Sequence, residues 1–279
     1  MWSRARVVRW DAEAEPTTQD DDLAVEEPLE IRVGGEAVSV TMRTPGPIGD
    51  SWDQQDRELA AGFLLTERVI AGPEAILRID PCLKAPDGNV INVHLATGVT
   101  LDTERLRRNV YTASSCGVCG KASIDTVHQH FPPINNSPDA EPARVTDAVL
   151  LSLPQRLRES QTTFTRTGGL HAAGLFDLEG NLLAIREDIG RHNAVDKVIG
   201  FAVLSGRLPL DRAILFVSGR ASFEIMQKSL AARIPVVAAV SAPSSLTVEF
   251  ARDSGQTLVG FLRPPRMNVY THGERIVPA

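Results

Sequence analysis

The last third of the chain holds the pattern that most restricts its fold. Ala213-Ile214-Leu215-Phe216-Val217 is a short unbroken apolar run, followed by the turn formers Ser218-Gly219-Arg220-Ala221-Ser222 and a helical segment over 223–233. A second apolar run covers 235–240, the turn Ala242-Pro243-Ser244-Ser245 follows, and a helix is expected over 246–253 before a third strand at 257–262. Runs that are apolar at every position suit strands buried on both faces. Strand, helix, strand, helix, strand at such short intervals predicts a parallel sheet joined by right-handed crossovers. Parallel topology brings all three strand C-termini to one edge, where ligands of open α/β sheets sit.

That edge collects three unusual segments, 218–222, 241–245 and Arg263-Pro264-Pro265-Arg266. The first two lead into helix N-termini, whose free N–H groups and macrodipole favour an anion. Gly219 lets a ligand approach the backbone, and the Ser218 hydroxyl can donate a hydrogen bond. Arg220, Arg263 and Arg266 suit bidentate contact with phosphate oxygens. Taken singly, each loop is explained by helix-capping serines and solvated arginines. Three on one edge point to a phosphate-bearing ligand.

Upstream, residues 145–160 form a helix candidate with Thr146 as N-cap. Strands are expected near 174–177 and 182–185, joined by a turn at Glu179-Gly180-Asn181. The densest polar cluster is Glu187-Asp188-Ile189-Gly190-Arg191-His192-Asn193-Ala194-Val195-Asp196-Lys197-Val198-Ile199-Gly200. Ala194, Val195, Val198, Ile199 and Ala202 share one apolar helical face, so a capped amphipathic helix with Asp196 and Lys197 in solvent explains that half. The Arg191-His192-Asn193 run after Gly190 better suits a polar site. His171, alone among small residues, reads as a structural histidine.

The N-terminal half is patterned differently. Residues 11–22 are acidic, contain Pro16 and offer little to bury, so residues 1–24 read as a flexible tail. Leu29-Glu30-Ile31-Arg32-Val33 alternates, Gly34-Gly35 interrupts, and Ala37-Val38-Ser39-Val40-Thr41-Met42 resumes, which predicts a β-hairpin. A helix over 56–70 and a strand over 89–95 complete a small α+β subdomain at 25–110. The turn-rich Pro132-Pro133-Ile134-Asn135-Asn136-Ser137-Pro138 marks a boundary, leaving 111–143 as loop and linker and 144–279 as the α/β domain. With 279 residues and a net charge of −6 there is no basic footprint for nucleic acid. No stretch has the apolar length to cross a bilayer, and the N-terminus lacks the apolar core of a secretory signal, so a cytoplasmic location is expected.

Three cysteines, Cys82, Cys116 and Cys119, are too few for a disulfide framework. Two lie in Ser114-Ser115-Cys116-Gly117-Val118-Cys119-Gly120-Lys121. Structural zinc needs two further ligands, and no second cysteine pair exists, with His128 and His130 only partial substitutes. No metal is expected. A dithiol redox site is plausible chemically, although a Gly/Ser-flanked segment differs from the strand-to-helix setting of thioredoxin-type motifs. A persulfide carrier is the third reading: Lys121 and local N–H groups favour a thiolate, and the glycines suit a loop that visits donor and acceptor. Residue chemistry leaves redox and sulfur transfer open, with inert cysteines behind them.

Taken together, the motifs resemble the FdhD/NarQ family. The residues that bear the likeness include Glu26-Glu27-Pro28-Leu29-Glu30-Ile31, Gly62-Phe63-Leu64-Leu65-Thr66-Glu67, the Cys116–Cys119 segment, Thr167-Gly168-Gly169-Leu170-His171-Ala172-Ala173, the 187–197 cluster, Ser218-Gly219-Arg220, and Gly260-Phe261-Leu262-Arg263-Pro264-Pro265-Arg266-Met267-Asn268-Val269-Tyr270. The resemblance implies a cytoplasmic, homodimeric sulfurtransferase that passes sulfur from a cysteine desulfurase to the molybdenum cofactor, in its bis-molybdopterin guanine dinucleotide form, for formate dehydrogenase. It implies that Cys116 bears the persulfide with Cys119 as partner. By the same likeness Phe261, Leu262, Arg263, Pro264, Pro265 and Arg266 contact the cofactor, for which a guanine nucleotide can stand in. Ser218, Gly219, Arg220, Arg191 and His192 are expected to line the same site. The implied fold is α/β, with a cytidine-deaminase-like three-layer C-terminal domain on a largely parallel sheet, preceded by the small α+β subdomain. His171-Ala172-Ala173 lacks the glutamate that a deaminase uses as general base, which argues against deamination. A cofactor-binding chaperone without sulfur transfer, or a dithiol oxidoreductase, are the alternatives.

Overall fold

The computed structural model describes residues 1–46, 53–82, 85, 88–99, 131–134 and 142–279. Its largest sheet has six strands in the order β13-β12-β11-β10-β8-β9. β10 (Ala213–Val217), β11 (Val236–Ala239) and β12 (Thr257–Arg263) are the three apolar runs and pair in parallel, as the sequence pattern predicts. Antiparallel hairpins extend this parallel core on both sides. β8 (His171–Asp177) and β9 (Leu182–Asp188) flank β10, and β13 (Arg266–Thr271) flanks β12.

The strand residues alternate between two cores. Leu175, Leu215, Val217, Val237, Ala239 and Leu258 face the core that holds α1 (Gln54–Thr66), α4 (Arg191–Leu204) and α5 (Phe223–Ala231). Phe176, Ile214, Phe216, Val236, Ala238 and Val259 face α2 (Asp147–Ser160) through Leu150, Leu153 and Leu157. This period-two alternation gives the sheet helices on both faces, the three-layer arrangement. Thr146 caps α2 as expected, its Oγ1 accepting from Val149 N–H at 3.2 Å.

The 25–110 unit forms a second sheet of order β4-β3-β6-β5. β3 (Glu27–Val33) and β4 (Glu36–Arg43) make the expected hairpin, and β6 (Val90–Leu95) pairs with β3 in parallel and with β5 (Ile76–Pro81) in antiparallel fashion. Gly34 and Gly35 turn the hairpin at φ of +59° and +90°, where a side chain would be strained. The two sheets share one apolar core: Leu29, Ile31, Leu59, Leu64 and Ile91 are continuous with Val195, Val198, Ile199 and Leu215.

That continuity runs through α1 against α4. Gly62 of α1 lies over the Asp196 carbonyl, and Gly200 of α4 lies over the Glu58 carbonyl, so closely that a Cβ on either would overlap backbone. Around the crossing, charges expected in solvent are buried instead. Asp196 is 2 % exposed and accepts from Thr66 Oγ1 at 2.8 Å and from Lys228 Nζ at 2.9 Å. Lys197 is fully buried and reaches Asp188 at 2.7 Å. Helical periodicity placed these two side chains on the solvent face; α1, α5 and the end of β4 cover that face, so α4 is buried on nearly every side.

A second correction concerns residues 1–24. They form a hairpin, β1 (Trp2–Asp11) with β2 (Ala14–Ala24), rather than a flexible tail. The register sets Arg4 opposite Asp22 and Arg6 opposite Asp20, so the acidic run is neutralised by the basic strand before it. Asp22 also accepts from Arg166 Nε at 2.6 Å, and the Arg166 guanidinium lies 4.0 Å from the Trp2 ring centroid. These contacts fasten the hairpin to α3 (Thr162–Thr167).

Because backbone, not a flexible side chain, opposes a Cβ at Gly200, the Gly200→Ala protein is expected to lose about 3 kcal/mol or more. A thermal melt should place its midpoint at least about 5 °C below wild type. An unchanged midpoint would mean that α1 and α4 are not in this close contact.

Candidate functional site

The end of the six-stranded sheet is where the expected loops converge. Ser241 N–H donates to the Gly219 carbonyl at 3.3 Å, and Phe261 N–H to the Ser241 carbonyl at 3.2 Å, so the β10, β11 and β12 ends lie side by side. β8 enters the same edge, since its register sets Ala173 opposite Val217 and His171 opposite Asp188. Ser218 binds back to β8, its Oγ accepting from Ala172 N–H at 2.9 Å. That hydroxyl therefore fixes the turn and retains only its own proton for a ligand.

Three helices start here, and they differ in how their first N–H groups are treated. At α6 (Ser245–Asp253) the Ser244 side chain accepts from Thr247 N–H at 3.3 Å, which closes the terminus. At α5 the N-cap Ser222 makes no capping bond and turns its Oγ to His192 Nε2 at 3.2 Å. At α4 the N-cap is Gly190, which has no side chain to offer. Neither helix is capped by a side chain, and the positive ends of the α4 and α5 dipoles lie at this edge, which favours an anion there.

The start of α4 is held from below by one carboxylate. Asp188, fully buried, accepts from Gly190 N–H at 2.8 Å, Asn193 Nδ2 at 3.0 Å, Thr44 N–H at 3.1 Å and Lys197 Nζ at 2.7 Å. Asn193 also donates to the Met42 carbonyl at 2.7 Å, and Lys197 to the Thr44 carbonyl at 2.7 Å. The end of β4 is thereby clamped to the first turn of α4, and the polar residues after Gly190 are oriented by the N-terminal unit.

Arg191 and His192 follow this anchor. His192 is buried, with Glu224 Oε2 at 3.8 Å from the same Nε2 that meets Ser222. The Arg191 Nε is buried and has no hydrogen-bond partner among the described residues. Beside them His171 lies against Gly219, where a Cβ would meet its Nδ1 at 3.4 Å. Burial, and secondarily the Arg191 charge, push the His171 pKa below its usual 6.5, while Asp188 opposes the shift. His171 is therefore neutral at pH 7, able to accept or donate one hydrogen bond.

Of the residues expected at the site, the structure groups Arg191, His192, Ser218 and Gly219 with His171 at the edge. Arg220 is exposed on the same turn. Arg263 spends its Nε on the Val240 carbonyl at 3.1 Å. Pro264 and Pro265 form the exposed turn between β12 and β13, and Arg266 opens β13. Phe261 is 41 % exposed, whereas Leu262 is fully buried in the α2-side core and serves packing rather than ligand contact. Cys116 and Cys119 lie outside the described residues. Among the described residues no three His, Cys, Asp or Glu side chains gather as a metal site, and no helix is long and apolar enough to cross a membrane. The sequence reading took His171 as structural and had the 218–222 turn at the edge without the Ser222–His192 contact; both depend on topology, because β8 and α4 meet that turn only in the folded sheet.

The His171 environment has a measurable consequence. With a folded pKa below the unfolded 6.5, the unfolded chain protonates first, so this group costs stability as pH falls below about 6.5. An NMR titration of the His171 ring should give a midpoint below 6.5, and Arg191→Gln should raise it. A midpoint at or above 6.5 in the wild type would contradict the burial described.

The whole chain has recognisable relatives. The FdhD/NarQ family model matches residues 24–277. A protein of Mycolicibacterium paratuberculosis named sulfur carrier protein FdhD is 52 % identical over 279 residues, covering 98 % of each chain. One of the same name from Streptomyces avermitilis is 53 % identical over 266 residues, covering 93 % of this chain and 90 % of its own. A crystal structure of a protein assigned as a formate dehydrogenase accessory protein, from Desulfotalea psychrophila, superposes with a TM-score of 0.75 at 26 % identity over 99 % of both chains. Match over nearly the full length, in sequence and in fold, means that this chain belongs to the FdhD/NarQ family.

Proposed function

We propose that the protein is a sulfur carrier that serves formate dehydrogenase by delivering persulfide sulfur to the molybdenum cofactor. The Cys116 thiolate attacks the terminal sulfur of a cysteine desulfurase persulfide. The donor S–S bond breaks, the donor leaves as thiolate, and the sulfur stays on Cys116 as Cys–S–SH. Cys119 assists its relay or release. The acceptor, bis-molybdopterin guanine dinucleotide, is the substrate, and its phosphates sit at the sheet edge. The protein works in the cytoplasm as a homodimer.

The observation that carries the acceptor half of this reading is Arg191 at the start of α4, whose buried Nε has no partner among the described residues, beside two helix N-termini that lack side-chain caps and the His171 ring. A buried donor without an acceptor is costly, and an anion relieves that cost. Arg220 adds a further guanidinium from the rim. The donor half rests on the Cys-x-x-Cys sequence and on the names of the relatives. The same edge also suits a chaperone that holds the cofactor without any thiol step, so the cysteines must be tested directly.

Intact-mass spectrometry of the protein incubated with a cysteine desulfurase and cysteine tests the carrier step. A reductant-reversible gain of about 32 Da that disappears in Cys116→Ala is expected. No gain under an active desulfurase would leave the chaperone reading. The edge is tested separately with pyrophosphate or GDP, whose binding should weaken at least about tenfold in Arg191→Gln, as loss of a charge-assisted bond implies. Because a bound anion raises the His171 pKa, affinity should also increase as pH falls through the window below 6.5. Binding that ignores both the variant and the pH would place the anion elsewhere.

A further inference from the structure

A cavity of about 360 Å³ lies between the N-terminal hairpin, α3 and the end of β4, with none of Arg191, His192, His171 or Gly219 in its wall. Trp2, Thr44, Gln55, Leu170, Ile185 and Glu187 contribute to its wall. Its size is within the range that holds small organic ligands. The chemistry of the wall narrows what those ligands are.

No lysine or arginine side chain lines the cavity among the described residues, so it is unlike the edge and unsuited to phosphate. The Met1 amino group borders it, but burial, then the Lys197 charge, push its pKa below the usual 8.0, so at pH 8 it is mostly neutral. Glu187 is the one acidic residue in the wall, and both of its oxygens are engaged, accepting from Thr163 N–H at 2.9 Å and Phe164 N–H at 2.8 Å. Each oxygen keeps a further lone pair, so the carboxylate can still accept from a ring N–H or amino group of a ligand.

The rest of the wall is neutral. Thr44 is 2 % exposed, and its enclosed hydroxyl has no hydrogen-bond partner among the described residues, so it forms part of the wall without reaching the cavity. Gln55 gives its Oε1 to Lys197 Nζ at 3.4 Å, while its Nε2 donors have no partner among the described residues. Leu170 and Ile185 supply apolar wall. The Trp2 indole, whose plane is braced by the Arg166 guanidinium at 4.0 Å, offers an aromatic surface. We propose that this cavity is a second binding site, distinct from the edge, for an uncharged heteroaromatic molecule of one or two rings that bears carbonyl or ring-nitrogen acceptors. The ring packs on Trp2 beside Leu170 and Ile185, and an acceptor on it meets Gln55 Nε2. This site is independent of the sulfur-carrier reading.

The test uses the full chain at pH 8, with adenine and theophylline as probes, by isothermal titration with and without saturating pyrophosphate. Saturable binding of at least one probe is expected, undiminished by pyrophosphate. Trp2→Ala and Gln55→Leu should each weaken it about tenfold, the loss of one aromatic contact or one hydrogen-bonding group. Both variants should keep their pyrophosphate affinity, which reports an intact fold and an intact edge. The proposal is overturned if neither probe binds saturably, if pyrophosphate displaces the probe, or if both variants bind it as wild type does. Loss of pyrophosphate binding in the wild type alone would instead count against the edge assignment.

Discussion

The crossing of α1 over α4 is the contact on which the rest of the structure depends. At Gly62 and Gly200 the two helices meet backbone to backbone, closer than any side chain would permit. That closeness merges the apolar faces of both sheets into one core. It also removes water from the charged residues around the crossing. Once dry, Asp196 must have Lys228, and Arg186 must have Glu58, whose Oε1 it meets at 2.6 Å through Nη2. Breaking one partner of such a pair leaves an uncompensated buried charge, which costs several kcal/mol. Burial raises the Asp196 pKa despite its lysine partner, while its two carboxylate neighbours hold the Lys228 ammonium charged against its own burial. These pairs give the crossing one register, because each works only with its partner in place.

The same crossing prepares the site. Asp188 and Lys197 sit where β4, β9 and the start of α4 meet, and each bonds to more than one of them. The residues that follow Gly190 inherit their orientation from this knot. Arg191 and His192 are thus held on a rigid helix at the sheet edge where β10, β11 and β12 end. Serines that look alike in sequence have different duties there. Ser244 closes its own helix, Ser218 ties β10 to β8, and Ser222 leaves its helix open and contacts His192.

Much of this architecture is legible from local pattern. The three apolar strands, their intervening helices, the Gly34-Gly35 hairpin and the Thr146 cap all follow from periodicity and turn chemistry within about fifteen residues. The shared edge at which β10, β11 and β12 end also follows, because parallel strands must end together. Two regions resisted such reading for one reason. The acidic run at 11–22 is neutralised by arginines on the preceding strand and by Arg166, and Asp196 is neutralised by a lysine and hydrogen-bonded by a threonine, both from distant elements. Charge looks like solvent exposure until its partner is found.

Sequence by itself determined the class of sheet, the edge at which its parallel strands end, the family, and the pair of cysteines that invites sulfur chemistry. Those are properties of composition, spacing and motif, and they survive without coordinates. Tertiary structure decided which of the polar residues are ligands-in-waiting and which are fasteners. It turned Leu262 into core and Ser218 into a brace, buried Asp196 and Lys197, brought His171 to Gly219, and built a neutral cavity from residues of four separate segments. The physical reason is that desolvation and hydrogen-bond satisfaction depend on what lies within a few ångströms in space, and in this fold those neighbours come from more than a hundred residues apart in sequence.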